Sequence, residues 1–210
     1  MSNDLVAADG RVIGSRAQAT RRRLLDATAK LLGQQGVLDL RVVDITREVG
    51  TSPATFYHYF RDADAAILAL AEEATEDEMP LVGFLHPAWT PADGTRRATE
   101  FVDAFMGYWK SHASVLRVRN LRAEEGDARF RAVRSEANLR IIAAMQAMID
   151  DGVGSGRLAA TLDPFTTAAA LVAMIERLLG YQAEMIRRGS SENAIRDTLA
   201  TLLARTLAGA

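Results

Sequence analysis

Val42–Phe60 reads VVDITREVGTSPATFYHYF, and its spacing decides the fold of the first third of the chain. Val42, Ile45 and Val49 recur at helical spacing, so the segment before Gly50 is a short helix with one buried stripe. Gly50 stands where that helix must stop and the chain must bend, a place glycine fills at little steric cost. Ser52 can cap a second helix by accepting a backbone N–H, and Pro53 suits its first position, where no N–H is needed. Phe56 and Phe60 lie four apart and can dock on the first helix. Thr55, Tyr57, His58 and Tyr59 are left to face elsewhere. The pattern predicts a helix-turn-helix with an aromatic, hydrogen-bonding outer face.

The segments on either side give this motif a direction. Arg11, Arg16, Arg21, Arg22, Arg23 and Lys30 form a basic block opposed locally only by Asp26. Alone, such a cluster reads as a solvated helix face; beside a helix-turn-helix it suits phosphate contact, which supplies most non-specific affinity. Leu24, Leu25, Thr28, Leu31 and Leu32 make Ala19–Gly36 an amphipathic helix that packs over the motif. After Phe60 the sign reverses: Asp62, Asp64, Glu72, Glu73, Glu76, Asp77 and Glu78 predict a connecting helix whose far end points away from any nucleic acid.

The remainder bounds the class. The 210 residues are 49% hydrophobic, enough for a packed globule, and hold no cysteine, which excludes disulfides and thiolate chemistry. No stretch approaches the roughly 20 apolar residues of a membrane span, and the N-terminus has no hydrophobic run, so a cytoplasmic protein without membrane contact is expected. Pro80, Pro87, Pro91, Gly83 and Gly94 make residues 79–95 read as a linker or irregular loop. Thr95–Ser111 reads as a helix, with a break near Ser111–Ala113. Asp127–Asp151 is a long helix with Phe130, Val133, Leu139, Ile142, Met145, Met148 and Ile149 inward. Asp163-Pro164 opens an apolar helix to Arg188, stopped by Gly189. Ser190 or Ser191 caps a last helix striped by Ile195, Leu199, Leu202, Leu203 and Thr206. No strand pattern or repeat is present, so the fold is all-α. The expected domains are a flexible arm (1–15), a helix-turn-helix head (16–61), a connecting helix (62–79) and a C-terminal ligand-binding and dimerisation body (80–210).

Residues 16–70 resemble the DNA-binding domain of the tetracycline-repressor (TetR) family of bacterial regulators. The resemblance is carried by the basic first helix, by Asp44-Ile45, and by Gly50-Thr51-Ser52-Pro53-Ala54-Thr55-Phe56-Tyr57-His58-Tyr59-Phe60. It implies that Thr55, Tyr57 and Tyr59 contact the DNA backbone and that His58 reaches a base edge or a phosphate. Many members place a phosphate-gripping lysine three residues past the closing aromatic; that position here is Ala63, with Arg61 as the substitute. The position often taken by a base-reading arginine or lysine is Val43, which can pack on a thymine methyl. Arg41 and Arg47 flank it, and Ser52 and Ala54 complete the expected DNA-facing set.

A head this small reads few base pairs. A homodimer on double-stranded DNA carrying an inverted-repeat operator is therefore expected, with recognition helices about 34–36 Å apart or somewhat more. The expected dimer surface is Leu171, Ile175, Leu178, Leu179, Ile195, Leu199 and Leu202; the plainer alternative makes the penultimate helix the central core helix. Glu176 in that apolar run is expected to pair with Arg177 or a partner-chain arginine. Phe101, Phe105, Tyr108, Trp109, His112, Asn138, Met145 and Met148 are the candidate lining of a site for a small hydrophobic ligand, or else ordinary core. His58, His86 and His112 are scattered and no nucleophile or phosphate loop is present, so neither an enzyme, a cofactor nor a metal is expected. The function expected is a ligand-released transcriptional repressor. A helical carrier or scaffold, and an activator or nucleoid-type DNA binder, are the alternatives.

Overall fold

The computed structural model describes residues 14–209. Most of the expected N-terminal arm, including Arg11, lies outside that range. Helices α1 (Ser15–Gln35), α2 (Val42–Val49), α3 (Pro53–Tyr59) and α4 (Ala63–Glu78) follow one another; a 3-10 segment, Met79–Leu85, comes next. Then come α5 (Gly94–Glu124), α6 (Ala128–Gly154), α7 (Pro164–Gly180), α8 (Gln182–Arg187) and α9 (Glu192–Leu203), with a π-helical turn at Ala204–Ala208. No β-strand occurs among the described residues. The fold is all-α, with an N-terminal helix-turn-helix and a helical remainder.

Two compact units result, and their boundary differs from the expected one: residues up to Ala74 group with Ala113–Val133, and Thr75–His112 with the chain from Arg134 onward. The first unit recruits a mid-chain segment because Val118, Ala123 and Phe130 bury their apolar side chains with Leu32 and Ile67, while Val115 and Val133 join Leu24, Ile45, Phe56 and Phe60. Such burial stabilises each fully buried aliphatic or aromatic residue by roughly 1.5–3 kcal/mol.

Several boundaries move from their expected places, each for a local reason. Helix α1 begins at Ser15 rather than Ala19, since Ala17, Gln18 and Ala19 are sound helix formers. The expected break at Ser111–Ala113 is absent: Ser111 Oγ donates to the Gly107 carbonyl one turn back, 3.1 Å away, so its hydroxyl is satisfied inside an unbroken α5. In α6, Leu139 is 52% exposed, because the inward face runs through Ala137, Ile141, Ala144, Met145 and Met148. The single helix expected from Pro164 to Arg188 is two, α7 and α8, parted at Tyr181 directly after Gly180. Residues 79–95 are no plain linker. They contain the 3-10 segment and Trp89, which is 1% exposed and donates its indole N–H to the Phe84 carbonyl.

Candidate nucleic-acid interface and ligand unit

The helix-turn-helix forms for the reasons its residues suggest. Gly50 takes φ 71°, ψ 41°, the left-handed conformation, and its N–H reaches back to close α2. Ser52 Oγ accepts from the Thr55 amide at 3.2 Å, and Pro53 opens α3. Arg23, from α1, donates to the Val49 carbonyl at 2.6 Å, satisfying an acceptor at the end of α2. Phe56 is fully buried against Phe60, with ring centroids 5.5 Å apart. Burying Phe56 on the inner side of α3 leaves Ala54, Tyr57 and His58 exposed on the outer side, with Thr55 and Tyr59 half-buried. Val43 is 47% exposed and Tyr57 53%, so both can meet a partner surface. Arg41, Arg47, Ser52 and Arg61 are exposed as well.

The charges are less free than the sequence suggests. Between residues 16 and 61, Arg16, Arg21, Arg22, Arg23, Lys30, Arg41, Arg47 and Arg61 outnumber Asp26, Asp39, Asp44 and Glu48. Yet Lys30 is 2.6 Å from Glu48, Arg47 2.8 Å from Asp44, and Arg61 2.9 Å from Asp62. Arg22 meets Asp26 at 2.8 Å and Glu73 of α4 at 2.7 Å, and Arg21 lies 3.9 Å from the same Glu73. Burial works against the charge on Arg22. The hydrogen bonds and charges of Glu73 and Asp26 outweigh it, so its guanidinium is held above its ordinary value. Among the described residues of this segment, Arg16, Arg23 and Arg41 are the exposed cations that make no such pair, and Arg23 is held instead by the Val49 carbonyl. The helical periodicity of α4 gave no sign that Glu73 answers the basic block, because the pairing bridges 51 positions of sequence.

In the second unit four of the eight candidate ligand residues, Phe101, Phe105, Tyr108 and His112, adjoin one another along α5. Trp89, Phe101, Phe105, Tyr108 and His112 form a ladder with successive ring centroids 6.3, 5.8, 5.9 and 5.2 Å apart. The sequence reading missed Trp89; a tryptophan between prolines was its one available signal. Met145, Met148 and Trp109 are buried, while His112 and Asn138 are half-buried. His112 Nε2 lies 3.3 Å from the Asp77 carboxylate. Asn138 donates from Nδ2 to the buried Glu176 carboxylate at 3.1 Å, and Arg134 is 3.9 Å from that group. Of the two partners expected for Glu176, Arg177 lies over the Tyr181 ring, 4.2 Å from its centroid. Two buried polar atoms, Trp109 Nε1 and Asn138 Oδ1, have no hydrogen-bond partner among the described residues. A crevice beside Thr75, Glu78 and Ile141, too narrow for a water molecule, and an open cleft of about 490 Å³ beside Phe84, Arg96 and Arg97 are lined by none of the eight candidate residues.

The expected dimer residues divide. Leu171, Ile175, Leu179, Ile195 and Leu199 are at most 7% exposed in the single chain, so they belong to its own core. Leu178 is half-buried, and Leu202 is 41% exposed, as are Phe165 (50%) and Tyr181 (46%) nearby in sequence. The helical run is apolar on nearly every side because one side faces its own unit, which periodicity could not separate from a free face.

An exposed recognition helix on a capped, glycine-turned helix pair, followed by a helical body, defines a helix-turn-helix transcriptional regulator. Residues 24–70 match the family model for bacterial regulatory proteins of the tetR family, and residues 84–210 match that for the tetracyclin repressor-like C-terminal domain. The chain belongs to the TetR family. Over 49 residues it is 49% identical to the HTH-type transcriptional regulator BetI of Brucella anthropi, and 37% identical to that of Rhizobium meliloti. These matches span 23% of this chain and only about a quarter of the relatives' length: 25% and 24%. Among solved structures, a putative transcriptional regulator from Saccharomonospora viridis in complex with choline superposes with a TM-score of 0.71 at 23% identity. That likeness covers 88% of this chain and 95% of the other. FadR from Bacillus subtilis in complex with stearoyl-CoA gives 0.66 at 14% identity, covering 87% and 97%. These likenesses establish the shared fold. No helix among the described residues is long and apolar enough to cross a membrane.

Proposed function

We propose that the chain is a ligand-released repressor that binds an inverted-repeat operator as a homodimer. The observation that carries this reading is α3, seven residues long, which is fixed from within by Phe56 and presents Ala54, Tyr57 and His58 outward. Tyr57, Thr55, Tyr59, Ser52 and Arg61 hold the DNA backbone, which sets register; Val43, Ala54 and His58, with Arg41 and Arg47 beside them, face the bases. Dimerisation uses the apolar surface that the single chain leaves open on α7 and α9, including Leu178 and Leu202.

The ligand is a small, mainly hydrophobic molecule taken up among Phe101, Phe105, Tyr108, Trp109, His112, Asn138, Met145 and Met148. Trp109 Nε1 and Asn138 Oδ1 supply one donor and one acceptor that a ligand can satisfy. The solved relatives that hold choline and stearoyl-CoA support a small-molecule role for this body. Release requires that the ligand favour the conformation with lower DNA affinity, since equal affinity for both states shifts nothing.

Selection of bound sites from a random DNA library, followed by footprinting, tests the reading. A symmetric site protected by two protomers is expected, released by titration with candidate inducers. A chain that retards no DNA at low salt is a carrier or scaffold instead. Retention that survives a saturated ligand site removes the switch.

A further inference from the structure

Two arginines of α1 are held by one carboxylate on α4. A shallow groove of about 370 Å³ runs between these helices, lined among others by Ser15, Gln18, Arg21, Arg22 and Glu73. Glu73 spans both guanidiniums with its two oxygens, Oε2 2.7 Å from Arg22 and Oε1 3.9 Å from Arg21. Arg21 is further fixed by the Phe60 ring, 5.2 Å from its guanidinium carbon, at the residue that ends the recognition helix. A phosphodiester, like a carboxylate, presents two charged oxygens on one centre and suits the same guanidinium donors.

We infer that Arg21 and Arg22 form a phosphate site of the DNA-binding head which Glu73 occupies when DNA is absent, making Glu73 a built-in competitor that lowers affinity for DNA. The inference rests on the DNA-binding reading above. Glu73 is suited to such exchange because its side chain is 40% exposed. The Arg22–Glu73 pair, with Arg22 48% exposed, contributes little to stability, so trading the carboxylate for a phosphate there costs little. Asp26 stays on Arg22 throughout, 2.8 Å from its Nε, so Arg21 gains the larger share of freed charge.

The test uses the full chain and two duplexes, a site selected from a random library and an unrelated sequence, with affinity measured by fluorescence anisotropy across a KCl series. Glu73→Gln should tighten binding to both duplexes about three- to tenfold and steepen the slope of log K against log salt by about 0.9 per phosphate gained. Glu73→Ala should give the same sign, which covers failure of either variant to fold as checked by circular dichroism. Glu76→Gln, the same charge change one turn further along α4, should leave the slope unchanged. In an Arg21→Ala/Arg22→Ala background the effect of Glu73→Gln should vanish. Unchanged affinity and slope in Glu73→Gln, or an equal gain without the two arginines, overturns the competition while leaving the DNA reading intact. A wild-type chain that binds neither duplex overturns both.

Discussion

The helix-turn-helix and the apolar helices near the C-terminus carry the same helical periodicity, yet it determines different things in each. In Val42–Phe60 each boundary is made by a neighbour in sequence: Gly50 turns, Ser52 caps, Pro53 starts, and Phe56 and Phe60 pack four apart. In Pro164–Leu203 the start signals are equally local, with Asp163 and Ser191 accepting from Thr166 and Ala194. Which side of each helix is free, however, depends on partners far away in sequence. Short-range chemistry fixes where helices begin; long-range packing fixes what they expose.

The largest effect that can break this contrast comes from the two cores. Phe56→Ala removes a fully buried ring from the first unit, and Phe101→Ala does so in the second. Each should cost about 3–5 kcal/mol of stability. Measured by retention of DNA at a temperature where both variants are still folded by circular dichroism, Phe56→Ala should lose the operator and Phe101→Ala should keep it. Equal loss would mean that the head does not act as a unit.

Glycine gives the next largest effect, and its sign should differ between the regions. Gly50 sits at φ 71°, where a side chain is strained whatever the space around it. Gly50→Ala should destabilise by about 1–2 kcal/mol. Gly107 is inside α5, with nothing within 4 Å of an added Cβ. Gly107→Ala should stabilise by roughly 0.5–1 kcal/mol. Paired thermal melts check both signs. Ser52→Ala removes the cap on the Thr55 amide and should cost about 1 kcal/mol, with a matching loss of operator affinity because α3 begins at the next residue.

The all-α class, the helix-turn-helix and the exposure of Val43, Tyr57 and His58 were legible in the sequence because each follows from residues within one or two turns. The inward course of α6 is legible at Met145, Met148 and Ile149 but not at Leu139, which is hydrophobic yet exposed. The continuity of α5 was hidden because Ser111–Ala113 looks like a break, whereas Ser111 bonds within the helix. The burial of Leu171, Ile175, Leu179, Ile195 and Leu199 within the single chain was illegible for a related reason. An apolar stripe says that a face is covered, and is silent on whether the chain's own helices cover it.

The smallest effect isolates a start signal from the mid-chain segment that joins the first unit. Asp127 precedes α6 and accepts from the Arg129 guanidinium at 2.7 Å and from the Arg129 amide at 2.9 Å. The guanidinium hydrogen bond chiefly, helped by the amide, holds its carboxyl down from 3.8 to about 2. Because the folded value is below the unfolded one, the ionised carboxylate favours the folded state. That contribution is complete above the unfolded value and is lost as pH falls from near 4 through about 2. Melting temperature should therefore fall across that window in the wild-type chain, and fall less in Asp127→Asn, with the two curves separated by a constant offset above pH 5. An identical acid slope in Asp127→Asn would assign the acid sensitivity to other carboxylates, of which Asp93, Asp163 and Glu184 are also held low by their hydrogen bonds. All three lie in the second unit.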